Sequence, residues 1–437
     1  MGKFGKGAVA AAAMSFFALV PSREAAAQDF GQSWIDRITH ELEQERGPLT
    51  PKPLDLRATA GVNYVYDNNI FLADSGPGKK KDSIVIPFVQ LDLNYAEPRF
   101  DIEASFLGDY KRYFKESASD DEERFFVRAR QTSARWNFEI SEIFQHVSDP
   151  AGLVFLNRVA RIVSTTVPKI AFDIGRSWAI EIGSNIQIVR YEDPAFSAAQ
   201  ENNNFSVDAR AIYRTPWAFD LQAQFGYYNI NYLSNGTPDA FGYYYRGGFR
   251  GNITERLTLE ALAGYQSIET DFFTGGGDIS DGTVGGMANL RYEITENVNL
   301  FFDVARQYTF WGAGDPFQLL DTASVYLRYQ ATEVFWGAVR LAYEHAHTAL
   351  GVSRKYYSGS INLNYRFLAN LVGDLGATYR GGDTDNAGTK VKFSDIIISG
   401  GVAFTWYDRA RSSSTPGDGR ARLGTLRLDS PLVILYS

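Results

Sequence analysis

Apolar and polar positions alternate along most of this chain. The stretch "LRATAGVNYVYDNNIF" starts at Leu56. It puts Leu56, Ala58, Ala60, Val62, Tyr64 and Tyr66 on one face and Arg57, Thr59, Gly61 and Asn63 on the other, and the pattern stops in "DNN". "FDIEASFLGDY" sets Phe100, Ile102, Ala104 and Phe106 against Asp101, Glu103, Ser105 and Asp109. "WAIEIGSNIQI" sets Trp178, Ile180 and Ile182 against Glu181, Asn185 and Gln187, and "LVGDLGATYRG" sets Leu375, Ala377 and Tyr379 against Asp374, Thr378 and Arg380. A period of two sustained over about ten residues is a strand with one apolar and one polar face.

Eighteen such segments occur, near 55–66, 83–95, 98–113, 123–136, 137–147, 158–173, 178–192, 203–214, 217–233, 242–253, 257–270, 282–294, 297–309, 318–330, 334–347, 355–368, 370–381 and 393–407. The segments at 137–147 and 158–173 alternate poorly. Proline removes a ladder donor, so Pro168 predicts a bulge or a strand end there.

The connections carry the topology. After even-numbered segments they are tight ("EPR", "RWNF", "GRS", "TPW", "TER", "TEN", "ATEVF", "AN"). After odd-numbered segments they are longer and rich in Gly, Asp, Asn and Ser ("NNIFLADSGPGKKKD", "KESASDDEE", "FTGGGDISD", "GDTDNAGTKV"). Strict alternation of short and long is the mark of an up-and-down meander whose two ends face different compartments. A soluble sandwich has shorter strands and a turn every ~8–12 residues, which this chain lacks. The expected fold is therefore all-β: a transmembrane antiparallel up-and-down barrel of about 18 strands at 55–407, with both ends on the short-turn side. The apolar face then meets lipid. Five of the seven Trp (Trp136, Trp178, Trp217, Trp336, Trp406) lie beside short turns or at the end of the last segment, as an interfacial aromatic girdle requires.

The segments outside the barrel set the compartment. Residues 1–27 carry Lys3 and Lys6, an apolar run from Ala8 to Val20 and "AAA" at 25–27, which is a secretory signal with an A-x-A cleavage site. The chain is expected in the cell outer membrane. Residues 28–54 read as a periplasmic helix and linker, with Trp34, Ile35, Ile38 and Leu42 on one face of a helix at 34–46. That helix docks on the rim, enters the lumen or binds a partner. Residues 408–437 read as a periplasmic tail ending in "PLVILY".

Composition narrows the function. Cys is absent, so there is no disulfide framework. Removing the signal takes away Lys3, Lys6, Arg23 and Glu24 and moves the net charge from −8 to −10, which gives no support to nucleic-acid binding. No hydrolase, metalloprotease or phosphate-loop motif occurs, so the chain is read as no enzyme, with no cofactor and no metal. "EHAH" at 344–347 has strand spacing and is a solvated strand end before it is a ligand set.

Charge on the polar face is abundant. The candidate pore-lining residues are Arg57, Asp101, Glu103, Asp109, Arg128, Arg130, Glu181, Asp208, Arg210, Asp220, Asp303, Arg366, Asp374 and Arg380. An Arg or Lys facing mid-bilayer costs roughly 2–4 kcal/mol, so these groups are expected to face inward. Eighteen strands enclose more space than side chains fill, which predicts a water-filled lumen. The alternatives are a general diffusion porin for small polar solutes and a non-conducting structural or anchoring barrel. Aromatic residues along the lumen would favour sliding of sugars.

Two stretches resemble known families. In "SGGVAFTWY", Ser399, Gly401, Phe404 and Trp406 resemble the polar-x-Gly-x-x-aromatic-x-aromatic signal that hands bacterial barrels to their assembly machinery. "YVYDNNIFLADSG" at 64–76 resembles the first hairpin of the β-barrel porin 2 family, whose members are found with exopolysaccharide synthesis and export genes. That resemblance implies an outer-membrane channel for polysaccharide export. The partners expected are outer-membrane lipid, the barrel-assembly machinery and a periplasmic polysaccharide-export protein.

Overall fold

The computed structural model describes residues 54–407 apart from 71–79, 116–118, 149–159, 193–200, 218, 234–237, 271–278, 310–316, 350, 369 and 387–388. The signal segment, the helix expected at 34–46 and the tail at 408–437 lie outside the described residues.

Eighteen antiparallel strands form one sheet. They are β1 (Leu54–Asp67), β2 (Asp82–Glu97), β3 (Phe100–Tyr113), β4 (Ser119–Thr132), β5 (Trp136–Val147) and β6 (Arg161–Ile174). Next come β7 (Trp178–Tyr191), β8 (Asn202–Arg214), β9 (Phe219–Tyr232), β10 (Ala240–Thr254), β11 (Leu257–Thr270) and β12 (Ser280–Thr295). The last six are β13 (Val298–Thr309), β14 (Gln318–Gln330), β15 (Phe335–Thr348), β16 (Ser353–Leu368), β17 (Leu371–Asn386) and β18 (Thr389–Tyr407). Each pairs with its sequence neighbours, and β1 pairs with both β2 and β18, which closes the ring. Closure satisfies the backbone groups of every strand, the condition for crossing hydrocarbon with strands.

The two faces differ as the sequence pattern requires. Leu56, Val62, Tyr64, Leu91, Phe106, Phe125, Ile186, Leu341, Leu375 and Ile398 are exposed on the outside, while the residues between them are largely buried or half-buried on the inside. The chain is a closed antiparallel β-barrel with the apolar exterior of a membrane-spanning one. Trp136, Trp178, Trp217 and Trp406 all lie at the short-turn rim. Trp336 sits at the same rim but is buried on the inner face, opposite Asn364, so it does not belong to the girdle.

Several boundaries depart from expectation. The turn before β5 is at 133–135, where Ser133 N donates to Trp136 O at 2.8 Å. The acidic stretch read as a loop forms the start of β4 instead, because Glu122 there is bonded by Lys111 and Arg124. The loop expected between the last two strands shrinks to 387–388, since β17 and β18 pair out to Asn386 and Thr389. Strands beyond the bilayer need no apolar face, so alternation fades there while the ladder continues.

Pro168 also departs. It lies inside β6 with its register to β5 intact, paired with Ile140, and no bulge marks it. On the β7 side the ladder passes from Thr166 to Lys169, omitting Val167 and Pro168, so the missing donor is accommodated by a local gap.

The inner face is not uniformly polar. Its outward-end portion carries two apolar clusters, Val65, Ile84, Ile86, Tyr113 and Ile397, and Ile230, Tyr232, Ala240, Ile268, Tyr308 and Phe317. The unbroken run "IVIPFV" at 84–89 is the sequence trace of the first, since a strand apolar on both faces is covered on both.

Candidate functional site: the inner wall

The inner wall is organised by register. β3 places Asp101 and Glu103 opposite Arg130 and Arg128 of β4, and their side chains pair at 3.0 and 2.7 Å. Further along, Arg124 bonds Glu122 at 2.7 Å and Asp109 at 3.5 Å, and Lys111 bonds Glu122 at 2.6 Å. Glu122 also accepts bonds from Ser148 N and Oγ, both at 3.2 Å. The result is a ladder of alternating charge in which opposite-sign cross-strand neighbours stabilise one another. Glu122 and Arg124 extend the predicted set, and the even-numbered phase of β4 from Arg128 through Arg124 to Glu122 was their signal; Lys111 shares the odd-numbered inward phase of Asp101 and Asp109 on β3.

A second group spans β7–β11. Arg210 of β8 reaches Glu260 of β11 at 2.8 Å across two intervening strands, and Arg250 of β10 lies 3.5 Å from Glu181 of β7 and 4.0 Å from Asp220. Gln224 donates to Asp208 at 2.7 Å. Arg246 donates to Gln266 at 3.3 Å and stacks 4.3 Å above the Tyr244 ring. Side chains lie this flat because glycines leave room beneath them: a Cβ on Gly226 would overlap the Tyr244 ring.

A third group closes the seam. Arg380 Nε donates to Asp395 at 2.9 Å, and Nη2 lies 3.5 Å from Asp67. Here the "DNN" of the opening stretch finds its structural role. Asn69 N donates to Asp67 Oδ1 at 2.7 Å, Asn69 Nδ2 donates to Ser394 O at 3.1 Å, and Ile396 N donates to Asn68 Oδ1 at 3.0 Å. The turn after β1 is thereby tied to β18.

The remaining candidates are placed as follows. Arg57 pairs with Asp92 at 3.3 Å, and Ser324 donates to Asp303 at 3.4 Å. Arg366 lies on the inner face of β16, two residues beyond Asn364. Asp374 is buried on β17. On β18, Ser399 and Gly401 take the inner phase, and Phe404 and Trp406 take the outer one with rings 4.5 Å apart. "EHAH" is split between faces: Glu344 is buried inside, whereas His345 and His347 meet edge-to-face outside with centroids 4.1 Å apart. Among the described residues, no three His, Cys, Asp or Glu side chains converge.

Not every strand charge faces inward: Arg306 and Asp321 pair at 3.5 Å on the outer face of β13 and β14, and a carboxylate sits outside in the middle of β5. Glu142 of β5 pairs in register with Val127 and Thr166, both on the outer face. Its carboxylate accepts bonds from Ser164 at 2.6 Å and from Thr166. The hydroxyls of β6 supply the donors that hydrocarbon lacks.

Inner-face aromatics include Phe88, Phe126, Tyr228, Tyr244, Phe301, Tyr326, Trp336 and Tyr356. An apolar groove of about 530 Å³ lies between Leu56, Leu91, Leu93, Phe106, Phe125 and Trp406, on the lipid face rather than in the lumen.

No family model matches the chain, and no curated protein matches it. Solved structures similar to it include Pseudomonas aeruginosa OpdK with vanillate, at 13% identity and TM-score 0.43, covering 80% of this chain and 99% of that one. OccK2 (OpdF) of the same organism in complex with glucuronate gives 12%, 0.44, 81% and 98%, and Acinetobacter baumannii OccAB4 gives 12%, 0.43, 83% and 100%. Similarity at this level concerns the strand architecture and says nothing of solute.

Proposed function

We propose that the chain is a non-enzymatic outer-membrane channel that passes small polar solutes. The observation that carries this reading is the inner wall of a closed eighteen-strand ring, lined by charged residues from β1 to β18. A ring of this size is too wide for its own side chains to fill. The mixed charge on the wall lets solutes pass among many weak contacts rather than one tight site. In this reading Arg57, Asp101, Glu103, Arg128, Arg130, Glu181, Asp208, Arg210, Asp220, Asp303, Arg366 and Arg380 line the path. Export of a polymer, which the first-hairpin resemblance implies, gains no support from the family and curated comparisons, neither of which gives a match. The test is swelling of proteoliposomes in isotonic solutions of small sugars and amino acids. Permeation by small solutes supports the proposal. Exclusion of every small solute by a correctly inserted barrel overturns it.

A further inference from the structure

One row of the inner wall stands apart from the paired charges. Register places Asn63 (β1), Gly401 (β18), Asp374 (β17) and Asn364 (β16) side by side across four strands. Ile86 continues the row beyond Asn63, and Trp336 continues it beyond Asn364. Asn63, Asp374 and Asn364 are 6%, 7% and 4% exposed. Both carboxylate oxygens of Asp374, Asn63 Oδ1 and Asn364 Oδ1 are buried with no hydrogen-bond donor. Gly401 makes room for the convergence: a Cβ there would overlap Asn63 Oδ1 and lie 2.9 Å from Asp374 Oδ1.

Every other candidate acid on this wall with a described ionic partner faces an Arg or Lys. Asp374 forms no ion pair among the described residues. A buried carboxylate without a counter-charge is costly, and such groups are paired or bind metal. This argument from charge holds whichever way the two carboxamides are turned. A proton on Asp374 would serve only one of the four oxygens. Four oxygens from one carboxylate and two carboxamides, with no His or Cys, are the ligands of a hard cation. Ile86 and Trp336, 2% and 5% exposed, flank the row at its two ends, and low-polarity neighbours strengthen the attraction between an ion and its ligands.

We infer that the row Asn63–Gly401–Asp374–Asn364 binds a hard metal cation, Na⁺ or Ca²⁺, through oxygen ligands alone. The ion ties β16, β17, β18 and β1 together across the seam that closes the ring. A ligand that binds only the folded state raises its stability by mass action.

The test uses the full-length folded protein in detergent, stripped with a chelator and held at constant ionic strength in choline chloride. Adding NaCl or CaCl₂ should raise Tm by several degrees, and the salt that acts identifies the ion. MgCl₂ should act weakly, because Mg²⁺ keeps its waters. Asp374→Asn, which mimics the protonated state, should abolish the shift. Tb³⁺, a Ca²⁺ analogue, should show emission sensitised by Trp336 that is lost in Trp336→Phe and competed away by whichever ion binds. Should Asp374→Asn not fold, Asn63→Asp serves instead: its added carboxylate should favour Ca²⁺ over Na⁺ by tenfold or more. The inference is overturned if neither salt moves Tm, if Asp374→Asn responds like the parent, or if Tb³⁺ emission survives Trp336→Phe.

Discussion

Replacing Glu103 by Gln tests whether the inner wall is held by paired charge. Arg128 Nη2 lies 2.7 Å from Glu103, and their side chains are 1% and 4% exposed. Removing one partner of a buried pair leaves an uncompensated charge, at a cost of about 3–5 kcal/mol. Replacing both partners together, Glu103→Leu with Arg128→Met, removes the stranded charge and should cost about 1 kcal/mol or less, since well-packed apolar substitutes for a buried pair are often neutral. The rim pair Arg214–Asp173, with both side chains 42% exposed, is the internal control. Asp173→Asn should cost under about 1 kcal/mol. The assay is equilibrium unfolding from lipid vesicles in guanidinium, followed by tryptophan fluorescence. Equal losses for Glu103→Gln and Asp173→Asn would refute the reasoning, as would a double variant as unstable as the sum of its singles.

Other consequences are simpler to read. Cysteine at position 101 should react with a water-soluble thiol reagent in a lipid-embedded barrel and cysteine at 102 should not; the opposite pattern means a flipped register. Glu142→Leu should stabilise the barrel in lipid by on the order of 1 kcal/mol, because a carboxylate leaves the hydrocarbon face. Destabilisation by a comparable amount would show that the bonds from Ser164 and Thr166 outweigh the cost of holding the carboxylate there. Gly226→Val should cost about 1–3 kcal/mol, as overpacking beneath the Tyr244 ring demands, and Gly226→Val combined with Tyr244→Ala should recover most of it.

Much of this architecture was legible in the sequence because a barrel wall obeys two periods at once: side chains alternate every residue, and turns alternate short and long. Asp101 and Glu103 fall inward for the same reason that Phe100 and Ile102 fall outward. Legibility failed where another force replaced the bilayer. Above the membrane, β17 and β18 continue as a polar ladder that no hydrophobic pattern marks. Glu142 faces outward because Ser164 and Thr166 on the next strand supply donors, and cross-strand partners cannot be read before the register is known. Trp336 shares its rim with the girdle residues, yet its phase in β15 turns it inward. The convergence on Gly401 likewise joins residues more than 300 positions apart in sequence, through the β1–β18 closure.

The most direct test of the channel account is single-channel recording of the purified, folded protein in a planar bilayer with KCl on both sides. The account predicts discrete, stable current steps, and partial blocking of those steps by small polar solutes that permeate proteoliposomes. A barrel whose cysteine labelling at 101 and 102 proves correct insertion, but which gives no current steps, would contradict it.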